Sequence, residues 1–233
     1  MKLKTFAIVV LLFACSCEVS KKQSNKSGKS VFFVPIPIAK FNAFQSPCVH
    51  VGIEGKTFLL KLDLGFQGDI TIAKETIDCI ASKRFIKERS MYGVRGKEYK
   101  KKSYRIPKLK IGTMAFSPPM LQEENCEFLR DAEFLQNGGG STFREEEGRL
   151  GWTLFCQTNL LVDIQNSQIA FCDSLDTLKK EGYVVEGWIK TPLFLERGLV
   201  EFKANTPTGP LLCILDTGTT WNILNAGLTS EKS

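Results

Sequence analysis

From Val31 onward the apolar residues fall in short runs of strand length. Cys48 to Ile53 (CVHVGI) alternates, Glu54-Gly55-Lys56 reads as a turn, and Thr57 to Leu62 (TFLLKL) runs on into Asp63. VFFVPIPI, starting at Val31, is extended, and its prolines suit the edge of a sheet. Strand patterns return at Ile111 to Phe116 around Gly112, at Asn159 to Ile164 and at Gln168 to Cys172. Ile77, Ile80, Ala81 and Phe85 stand near helical spacing and predict a helix over Lys74 to Lys87. Glu123 to Glu147 is polar, contains Asn137-Gly138-Gly139-Gly140-Ser141, and reads as a long exposed loop. The expected fold class is mainly β.

Part of this pattern occurs twice. The first copy is a strand, a turn at Gly55, then LLKLD-LG and ITI. The second is LVEFKA, a turn at Gly209, then LLCILD-TG and NIL. Gly55 precedes Asp63 by eight positions and Gly209 precedes Asp216 by seven, the difference expected of hairpins with slightly different loops.

Composition adds limits. Apolar residues at 43% and charged residues at 24% describe a chain with a full core. A net charge of +6, with lysines grouped near the N-terminus and in the segment 97–110 rather than along one basic stripe, argues against a nucleic-acid partner. Lys97 to Lys110 reads as a solvated face, with a preference for acidic substrates as the sharper alternative. Lys2 and Lys4 precede the apolar run Phe6 to Ala14, so residues 1–14 have the form of a signal peptide. Leu12-Phe13-Ala14-Cys15 resembles a bacterial lipobox with Cys15 as the lipidated residue; a plain secretory signal is the alternative. Residues 15–30 are rich in Ser and Lys and read as a tether. The expected location is the cell envelope, with the membrane a partner through the lipid anchor. The six cysteines beyond Cys17 permit fifteen pairings, which stay open. With no CxxC spacing and a single histidine, His50, a metal site is not expected.

The two Asp-x-Gly turns carry the candidate chemistry. Glycine lets a strand turn sharply at its carboxylate, and the hydroxyl in Asp216-Thr217-Gly218 can lock the turn. Two such turns face to face hold two carboxylates that share one proton. The ionised member draws a proton from water while the protonated member polarises a carbonyl.

LLCILDTGTTWNIL resembles the active-site strand and turn of aspartic proteases, pepsin-like and retropepsin-like. Tyr92-Gly93 with Gly96 resembles the flap hairpin, Gly148-Arg149-Leu150-Gly151 the hydrophobic-Gly element behind the catalytic loop, and Asn159 to Phe171 the hairpin that ends a lobe. The resemblance implies a β-barrel lobe over 31–185 and the start of a second, similar lobe over 186–233. It implies peptide hydrolysis by Asp63 and Asp216 with an activated water and no cofactor. Gly65, Tyr92, Gly93, Thr217 and Gly218 would line the substrate site, and the substrate would be an extended peptide or protein. Two departures stand out. The first turn is Asp63-Leu64-Gly65-Phe66, where the family has a hydroxyl residue after Asp and a small residue after Gly. The second lobe is short, which implies a longer parent protein or completion by a dimer partner. The rival expectation is a non-catalytic, peptide-binding envelope lipoprotein or a remnant.

Overall fold

The computed structural model describes residues 8–11, 32–42, 46–92, 96–124, 146–156, 158–196, 198–207 and 209–218. The protein is mainly β, as the alternating runs predict. Strands β4 (Pro47–Ile53) and β5 (Lys56–Asp63) form the expected hairpin, with Ile53 opposite Lys56. Its two turn residues, Glu54 and Gly55, both take positive φ (51° and 78°), the twist that joins adjacent antiparallel strands without splaying them.

Among the described residues the largest sheet has ten strands. Preceding the hairpin is β3 (Lys40–Phe41), paired with β4; β6 (Ile70–Ala73) follows it. A second hairpin is made by β7 (Arg84–Tyr92) and β8 (Glu98–Arg105), a third by β9 (Leu109–Ile111) and β10 (Met114–Phe116). Two short strands, β11 (Met120–Glu124) and β12 (Gly148–Gly151), complete it. The order is β10-β9-β4-β5-β12-β6-β11-β8-β7, so among the described residues the sheet has two ends and the expected barrel is not closed. Here β12 is threaded between β5, to which it runs parallel, and β6, to which it runs antiparallel. That register sets Arg149 beside Lys61 and Gly151 beside Asp63. It requires glycine at both ends of β12: a Cβ on Gly148 would lie 2.0 Å from the Thr71 carbonyl oxygen, and one on Gly151 2.1 Å from that of Gly68.

A four-stranded sheet packs beside it. In it β1 (Ile8–Leu11) pairs with β13 (Asn159–Asp163), β13 with β14 (Gln168–Cys172), and β14 with β2 (Phe33–Pro37). The proline-bearing β2 lies at the edge, where its missing N–H groups cost no ladder bond. Cys15 and the tether lie outside the described residues. The third sheet is β15 (Leu193–Glu196), β16 (Leu199–Thr206) and β17 (Gly209–Ile214). One core unites them: Val49, Leu60, Leu62, Ile70, Leu150, Phe155, Phe171 and Val200 of β16 are buried together. Among the described cysteines, Cys48, Cys79, Cys172 and Cys213 are free thiols.

Two expectations need correction. The helix predicted over Lys74 to Lys87 is only α1 (Lys74–Asp78), and from Arg84 the chain is strand β7. Ile77 and Ile80 are buried as their spacing implies, whereas Phe85 is exposed and meets Tyr104 of β8 edge to face at 5.9 Å. Cross-strand pairing with β8 outweighs helical spacing there. The loop predicted over Glu123 to Glu147 begins inside β11, where Glu124 is buried. At its other end the Glu147 carboxylate accepts the Leu59 amide at 2.8 Å. The sequence between, 125–145, lies outside the described residues. Among the described residues the remaining regular elements are α2 (Leu175–Lys180), capped by Ser174, and a 3-10 turn at Trp152–Phe155.

Candidate active site

Asp63 is the last residue of β5, and Asp216 follows β17 by two positions, so both hairpins deliver a carboxylate at the end of a strand. The two turns then meet face to face. A Cβ on Gly65 would lie 2.4 Å from Asp216 Cγ, and a Cβ on Gly218 would lie 2.5 Å from Asp63 Cγ. Each glycine is thus the floor under the opposite carboxylate, and no side chain fits at either position.

Thr217 ties the turns together. Its hydroxyl accepts the Leu64 amide at 3.1 Å and donates to the Leu62 carbonyl at 2.7 Å. The Lys61 ammonium donates to the Gly218 carbonyl at 3.3 Å, a third bond across the same seam. The reciprocal hydroxyl is missing because position 64 is leucine, and its side chain is fully buried in the core. The pseudo-symmetric seam is bonded from one side and packed from the other.

The electrostatics of the two carboxylates differ. Asp63 is 5% exposed and has two cations at one oxygen, the Arg149 guanidinium at 3.2 Å and the Lys61 ammonium at 3.9 Å. Asp216 accepts the Gly218 amide at 2.7 Å within its own turn. Burial first, and then the Asp63 charge beside it, push the Asp216 carboxyl above the ordinary carboxylate range. Asp216 therefore keeps its proton further toward neutral pH than an ordinary aspartate does.

Arg149 was not among the residues singled out from the sequence. It reaches Asp63 with one nitrogen and Glu124 of β11 with the other, the latter at 2.9 Å, and it lies 5.0 Å from the centroid of the Phe66 ring. Lys101 of β8 approaches the same ring at 5.5 Å, and burial, with Arg149 nearby, lowers its ammonium to about 8. A charged residue inside the short glycine-flanked run Gly148-Arg149-Leu150-Gly151 was the available signal. Phe66 shares the site with these two cations and lies beside the Gly68 backbone.

The other predicted positions separate. Tyr92 stands at the end of β7 opposite Glu98 and is 69% exposed. Gly93 and Cys15 lie outside the described residues. His50 is exposed on β4, opposite Leu59. Lys101 points inward in a hairpin whose neighbouring Lys97 and Lys100 are exposed.

Compared with protein-family models and with curated proteins, the chain matches none. Among solved structures it is similar to a retropepsin-like aspartic protease from Rickettsia conorii, with 14% identity and a TM-score of 0.39. The match covers 61% of this chain and 92% of that one.

Proposed function

We propose that this protein is an aspartic endopeptidase in which Asp63 and Asp216 activate a water molecule against a peptide carbonyl. The observation that carries this is the reciprocal packing of Gly65 under Asp216 and Gly218 under Asp63, which brings two carboxylates face to face at the ends of two strands. Water gives a proton to the ionised carboxylate as its oxygen adds to the carbonyl carbon, and the protonated carboxyl gives its proton to the carbonyl oxygen. Collapse of the resulting diol breaks the C–N bond. The amine leaves with the proton the first carboxylate had taken, and the second recovers its own from the diol. No covalent intermediate and no cofactor enter this cycle. The substrate is an extended peptide that pairs like an added strand. Residues 1–30 support an exported protein held at the membrane through Cys15, which acyl labelling of the wild type and Cys15→Ala would test.

The test of the activity is cleavage of a mixed peptide library by the purified protein, across pH 3 to 8, beside Asp63→Asn and Asp216→Asn. Cleavage abolished in both variants supports the dyad. A folded protein that binds peptides and cleaves none supports the second reading, a non-catalytic peptide-binding relative. That reading is favoured by Leu64, which fills the core where the family supplies a hydroxyl.

A further inference from the structure

Two cations and a second carboxylate gather at one member of the dyad, and among the described residues only Lys61 acts on the charge of the other from outside the pair. Asp63 meets Arg149 from β12 and Lys61 from its own strand β5. From β11, Glu124, whose side chain is 2% exposed, grips the opposite nitrogen of Arg149 at 2.9 Å. From β8, Lys101 closes the group over the Phe66 ring. Asp216 faces Asp63, the amide of Gly218 and, more distantly, Lys61. Arg149 itself is held on three sides: a carboxylate at each end and an aromatic face at 5.0 Å. A guanidinium fixed this way is a standing charge beside one carboxylate, not a mobile surface side chain.

We infer that Arg149 is a positioning residue that sets the asymmetry of the dyad: it holds Asp63 as the ionised member that takes the proton from water, and leaves the shared proton on Asp216 for the carbonyl oxygen. This deepens the protease reading and rests on it for its consequence, though the charge assignment itself does not require turnover. Arg149 trades base strength for range. A carboxylate beside a guanidinium is a weaker base, but it stays ionised further into acid. Glu124 moderates the trade by sharing the guanidinium.

The experiment uses Arg149→Met, Arg149→Lys, Glu124→Gln and the double variant Arg149→Met/Glu124→Gln. The double variant guards against misfolding, because it leaves no buried carboxylate stranded. Two readouts are taken on each: the pH profile of kcat/KM, and the titration of the Asp63 and Asp216 side-chain carboxyl carbons by NMR. Arg149→Met should move the acid limb, and the lower ionisation step of the pair, up by about one pH unit or more. Arg149→Lys should recover part of that shift. Glu124→Gln should move both the opposite way, a sign reversal that a purely structural role would not produce. An unshifted titration in Arg149→Met and in the double variant would overturn the inference even if cleavage fell. Activity that rose in Arg149→Met across the whole pH range would also overturn it, since Arg149 would then be a block on Asp63. If the wild type cleaves nothing yet the titration steps move as described, the charge assignment stands and the protease reading falls.

Discussion

The Thr217 hydroxyl takes the Leu64 amide at 3.1 Å and passes its own proton to the carbonyl just before Asp63, at 2.7 Å. Two residues far apart in sequence are thereby joined backbone to side chain, and the position that would return the bond is a buried leucine. Thr217→Val keeps the shape of the side chain and removes both bonds. At about 1 kcal/mol net for each bond, with the two backbone groups left short of partners, the loss should be roughly 1 to 3 kcal/mol. Thr217→Ser should stay near the wild type. Urea unfolding of the three proteins, read as the midpoint at unchanged slope, would check this, and equal midpoints would show that the seam is not held by the hydroxyl.

Restoring the missing hydroxyl should not help stability. Leu64 is fully buried in the main core, so Leu64→Thr deletes apolar volume and buries a polar group in one step. The expected cost is about 2 to 4 kcal/mol. A thermal melt in which Leu64→Thr matched or exceeded the wild type would mean that the turn had room for the symmetric bond, and that leucine there is not a packing residue.

Much of this was legible beforehand, and the failures have physical causes. The β4–β5 hairpin, the β13–β14 hairpin and the two aspartate turns follow from alternation and turn residues, which are local signals. The false extension of α1 came from Phe85, whose helical spacing is real but whose ring is used across a hairpin. Arg149 was passed over because its meaning is not local. Only the threading of β12 between β5 and β6 puts it beside Asp63, and only β11 supplies Glu124. The open ten-stranded order likewise depends on pairings between distant strands, which no short window of sequence encodes.

The glycine floors give a sharper functional test than either aspartate. Gly65→Ala would set a methyl 2.4 Å from Asp216 Cγ, and Gly218→Ala would set one 2.5 Å from Asp63 Cγ. Each substitution must push its carboxylate aside by close to an ångström, a displacement that costs about 100-fold in rate when the displaced group is part of the chemistry. Both variants should therefore lose about that much kcat/KM while keeping a cooperative melt. Full activity in either would show that the carboxylates are not held in a working geometry by these contacts.

Lys101 should titrate far from an ordinary lysine. Burial against Phe66, with Arg149 nearby, brings its ammonium down to about 8. Its folded value lies below its unfolded one, so the native state disfavours the charged form. The stability this withholds is regained as pH rises from about 8 toward about 10.4. Lys101→Met should therefore raise the melting temperature at pH 7, with the gain shrinking by pH 10. Amine acylation of the wild type should also label Lys101 with a midpoint near 8, and a midpoint with the bulk lysines would show the ammonium to be solvated.

Asp216 runs in the reverse direction among acids. Its carboxyl is raised by burial and by Asp63, so the folded state holds a proton that the unfolded chain, with an ordinary aspartate near 3.9, releases earlier. The stabilisation this gives is complete below about 3.9 and is lost as pH climbs through the folded value. Asp216→Asn cannot ionise. Its amide oxygen can keep the Gly218 bond, and its amide hydrogens can reach Asp63. The variant should melt close to the wild type at pH 3 and progressively above it toward pH 7, the gap opening as the unfolded wild type ionises above about 3.9 and levelling once native Asp216 is also charged. A gap that stayed constant across that range would mean that Asp216 ionises in the native protein as freely as in the unfolded chain. The pair would then not be sharing a proton.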